Sequence, residues 1–181
     1  MSSANDFGIE QLIDRLIERE GGFVDHPADR GGPTIYGITL AALGDWRGTP
    51  VDRLEVALLG VDEARAIYRD RYLVRPGFDA IVDPGLREFV FDFAVNSGPA
   101  AAARALQTAL RDMGLYAGAI DGGFGPKSQA ALAACGNIPE LYYRTKCERY
   151  ELYLRFVGRD PAQAAFAAGW SNRLDRLQHR P

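Results

Sequence analysis

Seven helix openings punctuate this chain, and six of them carry a proline. Proline lacks the amide hydrogen that an interior helical position needs, yet it fits the first turn, where that hydrogen has no partner. Read this way, Thr49-Pro50 opens a helix over 51–59, Asp62 one over 63–73, and Asp83-Pro84 one over 85–96. Pro99 opens 99–113, Pro126 opens 126–135, Pro139 opens 139–157, and Asp160-Pro161 opens 161–177. An earlier helix carries Ile9, Leu12, Ile13, Leu16 and Ile17 at helical spacing, with Asn5 or Asp6 as N-cap and Gly21-Gly22 as its stop. Only "TIYGIT", residues 34–39, has the β-branched and aromatic content of a strand or hairpin arm. The predicted class is therefore α+β, predominantly α, with a small β-hairpin in the N-terminal lobe.

The bulk properties narrow the function. With 181 residues, 47% hydrophobic and 25% charged, the chain has the make-up of an ordinary globular protein. A net charge of −3 leaves no basic footprint for nucleic acid. No stretch approaches the ~18 apolar residues of a membrane span, so no membrane insertion is expected. The start, MSSANDFGIEQLIDRL, has no basic region followed by an apolar run, so no signal peptide is expected. Cys135 and Cys147 fall in or beside apolar helical patterns and read as small core residues. His26 and His179 are far apart and show no metal-ligand spacing. No metal or other cofactor is expected.

Two acids close the first helix, and helical geometry separates them. At about 100° per residue, with Ile9 at zero, Leu16, Ile13 and Leu12 define an apolar face and Glu20 falls near its centre, at about +20°. Glu18 falls at about 180°, toward solvent. A carboxyl group on the buried stripe is desolvated, and the helix C-terminus is the negative pole of the helix dipole. Both effects favour the protonated form that a general acid needs. The alternatives are a frayed last turn that bends Glu20 to water, and a structural ion pair with an arginine.

The loop that follows adds candidates. Glycosidic cleavage ordinarily uses a second carboxylate across the bond, and Asp25 and Asp29 both lie within reach in sequence. Gly31-Gly32 permits a sharp turn and close backbone approach to a ligand. On a strand of period two, Thr34 and Tyr36 share one side and Ile35 takes the other, presenting a hydroxyl for water and a ring for a sugar face. Singly, Asp29 also reads as a turn former and Tyr36 as a core aromatic.

The whole stretch "EGGFVDHPADRGGPTIYGIT" resembles the signature of glycoside hydrolase family 108, a group of peptidoglycan-cleaving N-acetylmuramidases. Glu20, Gly21, Gly22, Phe23, Pro27, Asp29, Gly31, Gly32, Thr34, Gly37, Ile38 and Thr39 stand at the positions of that pattern. The order glutamate, aspartate, threonine also resembles phage-type lysozymes. The resemblance implies a lysozyme-like fold, with Glu20 as the acid and Asp29 and Thr34 handling the water. Tyr36 and Asp25 would contact sugar. "FVFDFAVNSGPAAAARALQTAL" (89–110) resembles the helix pair that follows the cleft in such enzymes, which would bring Asn96 and Ser97 near the substrate; both also read as plain capping residues. "LQTALRDMGLYAGAIDGGFGPKSQAAL" (106–132) looks like a peptidoglycan-binding segment, though its Asp121-to-Gly125 run reads equally as a tight structural loop.

The resemblance implies a catalytic lobe over 1–95 and a helical, peptidoglycan-binding-like lobe over 96–181, packed as one compact unit. The expected activity is that of a lysozyme cutting the β-1,4 bond between N-acetylmuramic acid and N-acetylglucosamine, with inversion. Its rivals are a chitinase-like enzyme or lytic transglycosylase on a similar fold, and a non-catalytic peptidoglycan-binding or secretion accessory protein. The expected partner is the glycan strand of peptidoglycan. Synthesis in the cytoplasm with action in the periplasm and cell wall would need an export partner such as a phage holin or a secretion apparatus. A monomer is expected.

Overall fold

The computed structural model describes residues 7–24 and 32–166, with positions 169, 172 and 174 beyond them. The chain divides into two compact units, Met1–Leu73 and Val74–Pro181.

In the first unit, α1 (Phe7–Glu20) buries Ile9, Ile13, Leu16 and Ile17, the stripe its spacing predicts. Each fully buried aliphatic side chain contributes about 1.5–3 kcal/mol, so this face fixes the helix in place. Its expected caps, Asn5 and Asp6, lie outside the described residues. Gly21 (φ +74°) ends the helix in the left-handed conformation, as expected. A two-stranded antiparallel hairpin follows, β1 (Thr34–Ile35) and β2 (Ile38–Thr39), in the register Thr34 opposite Thr39 and Ile35 opposite Ile38. Ile35 and Ile38 are buried.

Thr39 then serves as N-cap of α2 (Leu40–Arg47), its Oγ1 accepting from the Ala42 amide at 3.1 Å. This helix is absent from the sequence reading, in which Thr39 belonged only to a strand arm. The next helix, α3 (Arg53–Ala57), is shorter than the expected 51–59. Asp52 and Glu55 form a reciprocal capping box that starts it after Thr49-Pro50. Further on, α4 (Val61–Arg69) has Gly60 as its N-cap, two residues before the expected Asp62, and runs into a π-helical turn at Asp70–Val74. It packs on α1. Asp14–Arg65 (2.8 Å) and Glu10–Arg69 ion pairs run along that seam. Arg47 holds Glu63 at 2.8 Å and Glu55 at 3.1 Å, tying α2 to α3 and α4.

In the second unit the proline rule works well. After a 3-10 turn at Phe78–Ala80 come α5 (Pro84–Ser97), α6 (Pro99–Asp112), α7 (Pro126–Ala133) and α8 (Ile138–Arg159). Asp83 caps α5 through the Leu86 amide at 2.7 Å. Asn137 caps α8 through the Glu140 amide at 3.2 Å. Small buried residues Ala102, Ala103, Ala105 and Ala109 let α6 pack against both α5 and α8. Of the expected helix 161–177, a 3-10 turn at Pro161–Phe166 is described; most positions after it lie outside the described residues.

Cys135 is buried, but Cys147 is exposed rather than in the core. Its neighbours two residues away, Thr145 and Arg149, are both fully buried, and a step of two along a helix turns a side chain about 200° from them. Arg149 takes the interior position. Its Nη1 pairs with Asp92 at 2.8 Å, its Nε donates to Tyr153 Oη at 2.7 Å, and its guanidinium lies 4.9 Å from the Phe93 ring centre.

Candidate active site

The hairpin is pinned to the end of α1. The Tyr36 amide donates to the Gly21 carbonyl at 3.1 Å, so the turn sits over the last turn of the helix. Val24 exchanges both backbone bonds with Thr34, at 2.8 and 2.9 Å. That pairing closes the base of the segment that carries Asp25 and Asp29, two expected site residues that lie outside the described ones. Thr34 is half-buried, and both its backbone groups are used by Val24. Among the described residues its hydroxyl makes no hydrogen bond.

Glu20 stands where α1 meets the hairpin, but not as expected. Its side chain is 39% exposed and pairs with Arg19 Nη2 at 3.2 Å. The helical wheel placed it on the buried stripe, and that is corrected here. The stripe is buried through Leu16 and Ile17, whereas Gly21 turns the chain directly after Glu20 and leaves the last residue of α1 at the surface. A surface pair of this kind contributes little stability and yields readily to another ligand. Glu18 is exposed, as expected.

Tyr36 also departs from the reading. It is not on a strand beside Thr34: it is the first residue of the two-residue turn Tyr36-Gly37, with φ +53° followed by φ +71°. Left-handed φ at both positions is the geometry that matches the twist of the flanking strands. The alternation of sides therefore ends at Ile35, and Tyr36 is a half-buried residue of the hairpin tip rather than a strand neighbour of Thr34.

Gly37 is needed as glycine for space as well as for φ. A Cβ there would lie 2.8 Å from Tyr68 Oη, 3.1 Å from Glu20 Cγ and 3.4 Å from Glu20 Oε2. The bare Cα thus forms the floor beneath the Glu20 carboxyl. Tyr68, on α4, is buried and donates its hydroxyl hydrogen to the Tyr36 carbonyl at 2.8 Å. Burial, with the charge of Glu20 adding to it, pushes its phenol up to about 12. The sequence reading missed Tyr68; a buried tyrosine on an apolar helical face carries no local signal that separates it from core.

In the second unit, Asn96 and Ser97 occupy the last turn of α5, which Gly98 terminates. The Asn96 amide folds back onto the Asp92 carbonyl at 2.6 Å. The Asp-Gly-Gly-Phe-Gly run forms a tight loop. Gln107, fully buried, donates to Asp121 Oδ1 at 2.8 Å and to the Gly123 carbonyl at 2.9 Å, and accepts from the Gly122 amide at 3.0 Å. Asp121 in turn accepts from the Gly123 amide at 2.9 Å. These contacts hold the Asp121 carboxylate below the usual range, the Gln107 bond foremost. Its polar atoms serve the loop itself.

Among the described residues no cluster of three or more histidine, cysteine, aspartate or glutamate side chains could hold a metal ion. None of the described helices is long and apolar enough to cross a membrane.

Comparison with known proteins places the chain in a family. The family model described as glycosyl hydrolase 108 matches residues 13–98, which include Glu20 and the hairpin. The model described as a predicted peptidoglycan domain matches residues 101–175. No curated protein matches the chain. Among solved structures, SagA of Brucella abortus is 32% identical with a TM-score of 0.68, over 93% of this chain and 90% of its own. On these grounds, and with a glutamate seated over a glycine hairpin in the matched half, the chain belongs to the glycosyl hydrolase 108 family and is a peptidoglycan hydrolase with a peptidoglycan domain behind its catalytic part.

Proposed function

We propose that this hydrolase is an N-acetylmuramidase, cutting the β-1,4 bond between N-acetylmuramic acid and N-acetylglucosamine. The observation that carries the reading is the Glu20 side chain, which lies over the bare Cα of Gly37 and stays open on its other side. Glu20 donates a proton to the leaving glycosidic oxygen. A glycan lying across Glu20 competes with Arg19 and excludes water, and desolvation favours the neutral form of a carboxylic acid. Asp29, with the Thr34 hydroxyl, holds and deprotonates a water on the far face of the sugar, giving inversion. Tyr36 at the hairpin tip and Asp25 contact sugar.

The enzyme acts as a monomer on the cell wall from the periplasmic side, in lysis or local wall opening. It reaches that side through a holin or a secretion apparatus. Mass spectrometry of fragments released from purified sacculi tests the bond. New reducing ends on N-acetylmuramic acid are expected; reducing ends on N-acetylglucosamine, or 1,6-anhydro ends, contradict it. Proton NMR of the first product formed tests the stereochemistry, with the α anomer expected. Inversion also requires carboxyl groups roughly 6.5–9.5 Å apart, against about 5–5.5 Å for retention.

A further inference from the structure

We propose that Tyr68 is a positioning residue for this reaction: its hydroxyl locks the Tyr36-Gly37 turn against the end of α1 and so fixes where the Glu20 carboxyl stands. The inference rests on Glu20 being the acid. It starts from strain. Tyr36 is the one non-glycine among the described residues with positive φ, at +53°. Asparagine or glycine takes that conformation at little cost, whereas a bulky residue keeps it only when its surroundings over-determine it.

Both backbone groups of Tyr36 are held. Its amide donates to the Gly21 carbonyl at 3.1 Å, and its carbonyl accepts from Tyr68 Oη at 2.8 Å. The first bond ties the turn to the end of α1 and the second ties it to α4, one through each of the two peptide groups that flank the Tyr36 Cα. Between them the turn cannot relax without breaking one. What the lock delivers is Gly37, whose missing Cβ would meet Tyr68 Oη at 2.8 Å and Glu20 Cγ at 3.1 Å. Phenol and acid therefore close on the same bare Cα, and a shift of the turn shifts the floor under the carboxyl.

Tyr68 is 7% exposed, so it is out of reach of a glycan and acts through Gly37 and Glu20. Its ring is held independently of the hydroxyl by stacking on Tyr72, centroids 5.9 Å apart and planes 22° apart. Removing the hydroxyl alone is therefore a clean perturbation.

The test uses the full chain and soluble peptidoglycan fragments long enough to span the site. Tyr68→Phe is expected to lower kcat about tenfold, since displacement of a catalytic group by a fraction of an ångström is enough for that. KM is expected to stay within about twofold, because the residue does not touch substrate. Asp52→Ala, which removes the α3 cap elsewhere in the unit, serves as a destabilised control and is expected to keep wild-type kcat. In a Tyr36→Gly background the turn adopts positive φ without help, and there Tyr68→Phe is expected to change kcat less than twofold.

A Tyr68→Phe enzyme with wild-type kcat overturns the proposal. So does a rise in KM matching the fall in kcat, or an equal fall in the Tyr36→Gly background. Glu20→Gln, run beside them, separates the two levels. Its inactivity with unaltered Tyr68→Phe turnover removes Tyr68 and keeps the acid, whereas full Glu20→Gln activity removes the acid itself.

Discussion

Replacing Arg149 by methionine tests how the second unit is held together. The guanidinium is fully buried and faces Asp92, itself 3% exposed, at 2.8 Å. Methionine keeps most of the volume and the flexible stem, so packing survives and the charge goes. Taking one partner from a buried pair costs about 3–5 kcal/mol, because the remaining charge keeps its desolvation penalty. Contacts of the guanidinium with the Phe93, Phe89 and Tyr153 rings, at 4.9, 5.5 and 5.6 Å, add about 0.5–1 kcal/mol each. Against this, Arg149 Nη2 is buried and finds no hydrogen-bond partner among the described residues, and removing it returns about 1–3 kcal/mol.

The net expectation is a loss of about 4 kcal/mol. With a urea m-value of about 2 kcal/mol per molar, the unfolding midpoint falls by about 2 M. The double variant Asp92→Leu/Arg149→Met removes both charges and is expected within about 1 kcal/mol of wild type, because an apolar pair replaces an ionic one at similar volume. Urea titrations followed by tyrosine and tryptophan fluorescence read both. A single variant that loses less than about 1 kcal/mol, or a double variant as unstable as the single one, refutes the reasoning.

Two further perturbations follow from the same structure. Gln107→Ala leaves the Gly122 amide, the Asp121 carboxylate and the Gly123 carbonyl without their shared partner, and is expected to lower stability by about 2–4 kcal/mol in the same titration; a surface loop with a glycan-only role would lose almost nothing. The Tyr68 phenol, raised to about 12 when folded against about 10 unfolded, contributes stability that is fully present below pH 10 and is lost as pH rises toward 12. Thermal melts across that window are expected to fall less steeply for Tyr68→Phe than for wild type, and identical slopes contradict the shift.

The sequence is most readable where local chemistry decides. Asp83-Pro84, Pro99, Pro126 and Pro139 mark the starts of their helices to within a residue or so, because an N-cap and a first-turn proline act within four residues. Gly21 stops α1 for the same local reason. Errors arise where a side chain far along the chain intervenes. Thr39 ends a strand and caps α2 at once, so a helix was hidden behind "GIT". Tyr36 sits in a turn conformation that Tyr68, 32 residues later, holds through its carbonyl; the Tyr-Gly pair between Ile35 and Ile38 was the available hint. For Glu20, periodicity gives a direction around α1 but not where the burial of that face ends, and at the last residue before Gly21 the side chain is 39% exposed. The Gln107 network was invisible because it joins residues 14 to 21 positions apart.

The most direct measurement compares Glu20→Gln with Glu18→Gln, two changes of one charge each, two residues apart on one helix. Both are incubated with purified sacculi, and soluble muropeptides are quantified while thermal melts check folding. Glu20→Gln is expected to release less than about a hundredth of the wild-type yield with an unchanged melt, since loss of a general acid costs about 10²–10⁴-fold, and Glu18→Gln is expected to match wild type. Wild-type release by the folded Glu20→Gln protein, or its collapse in Glu18→Gln instead, contradicts the account.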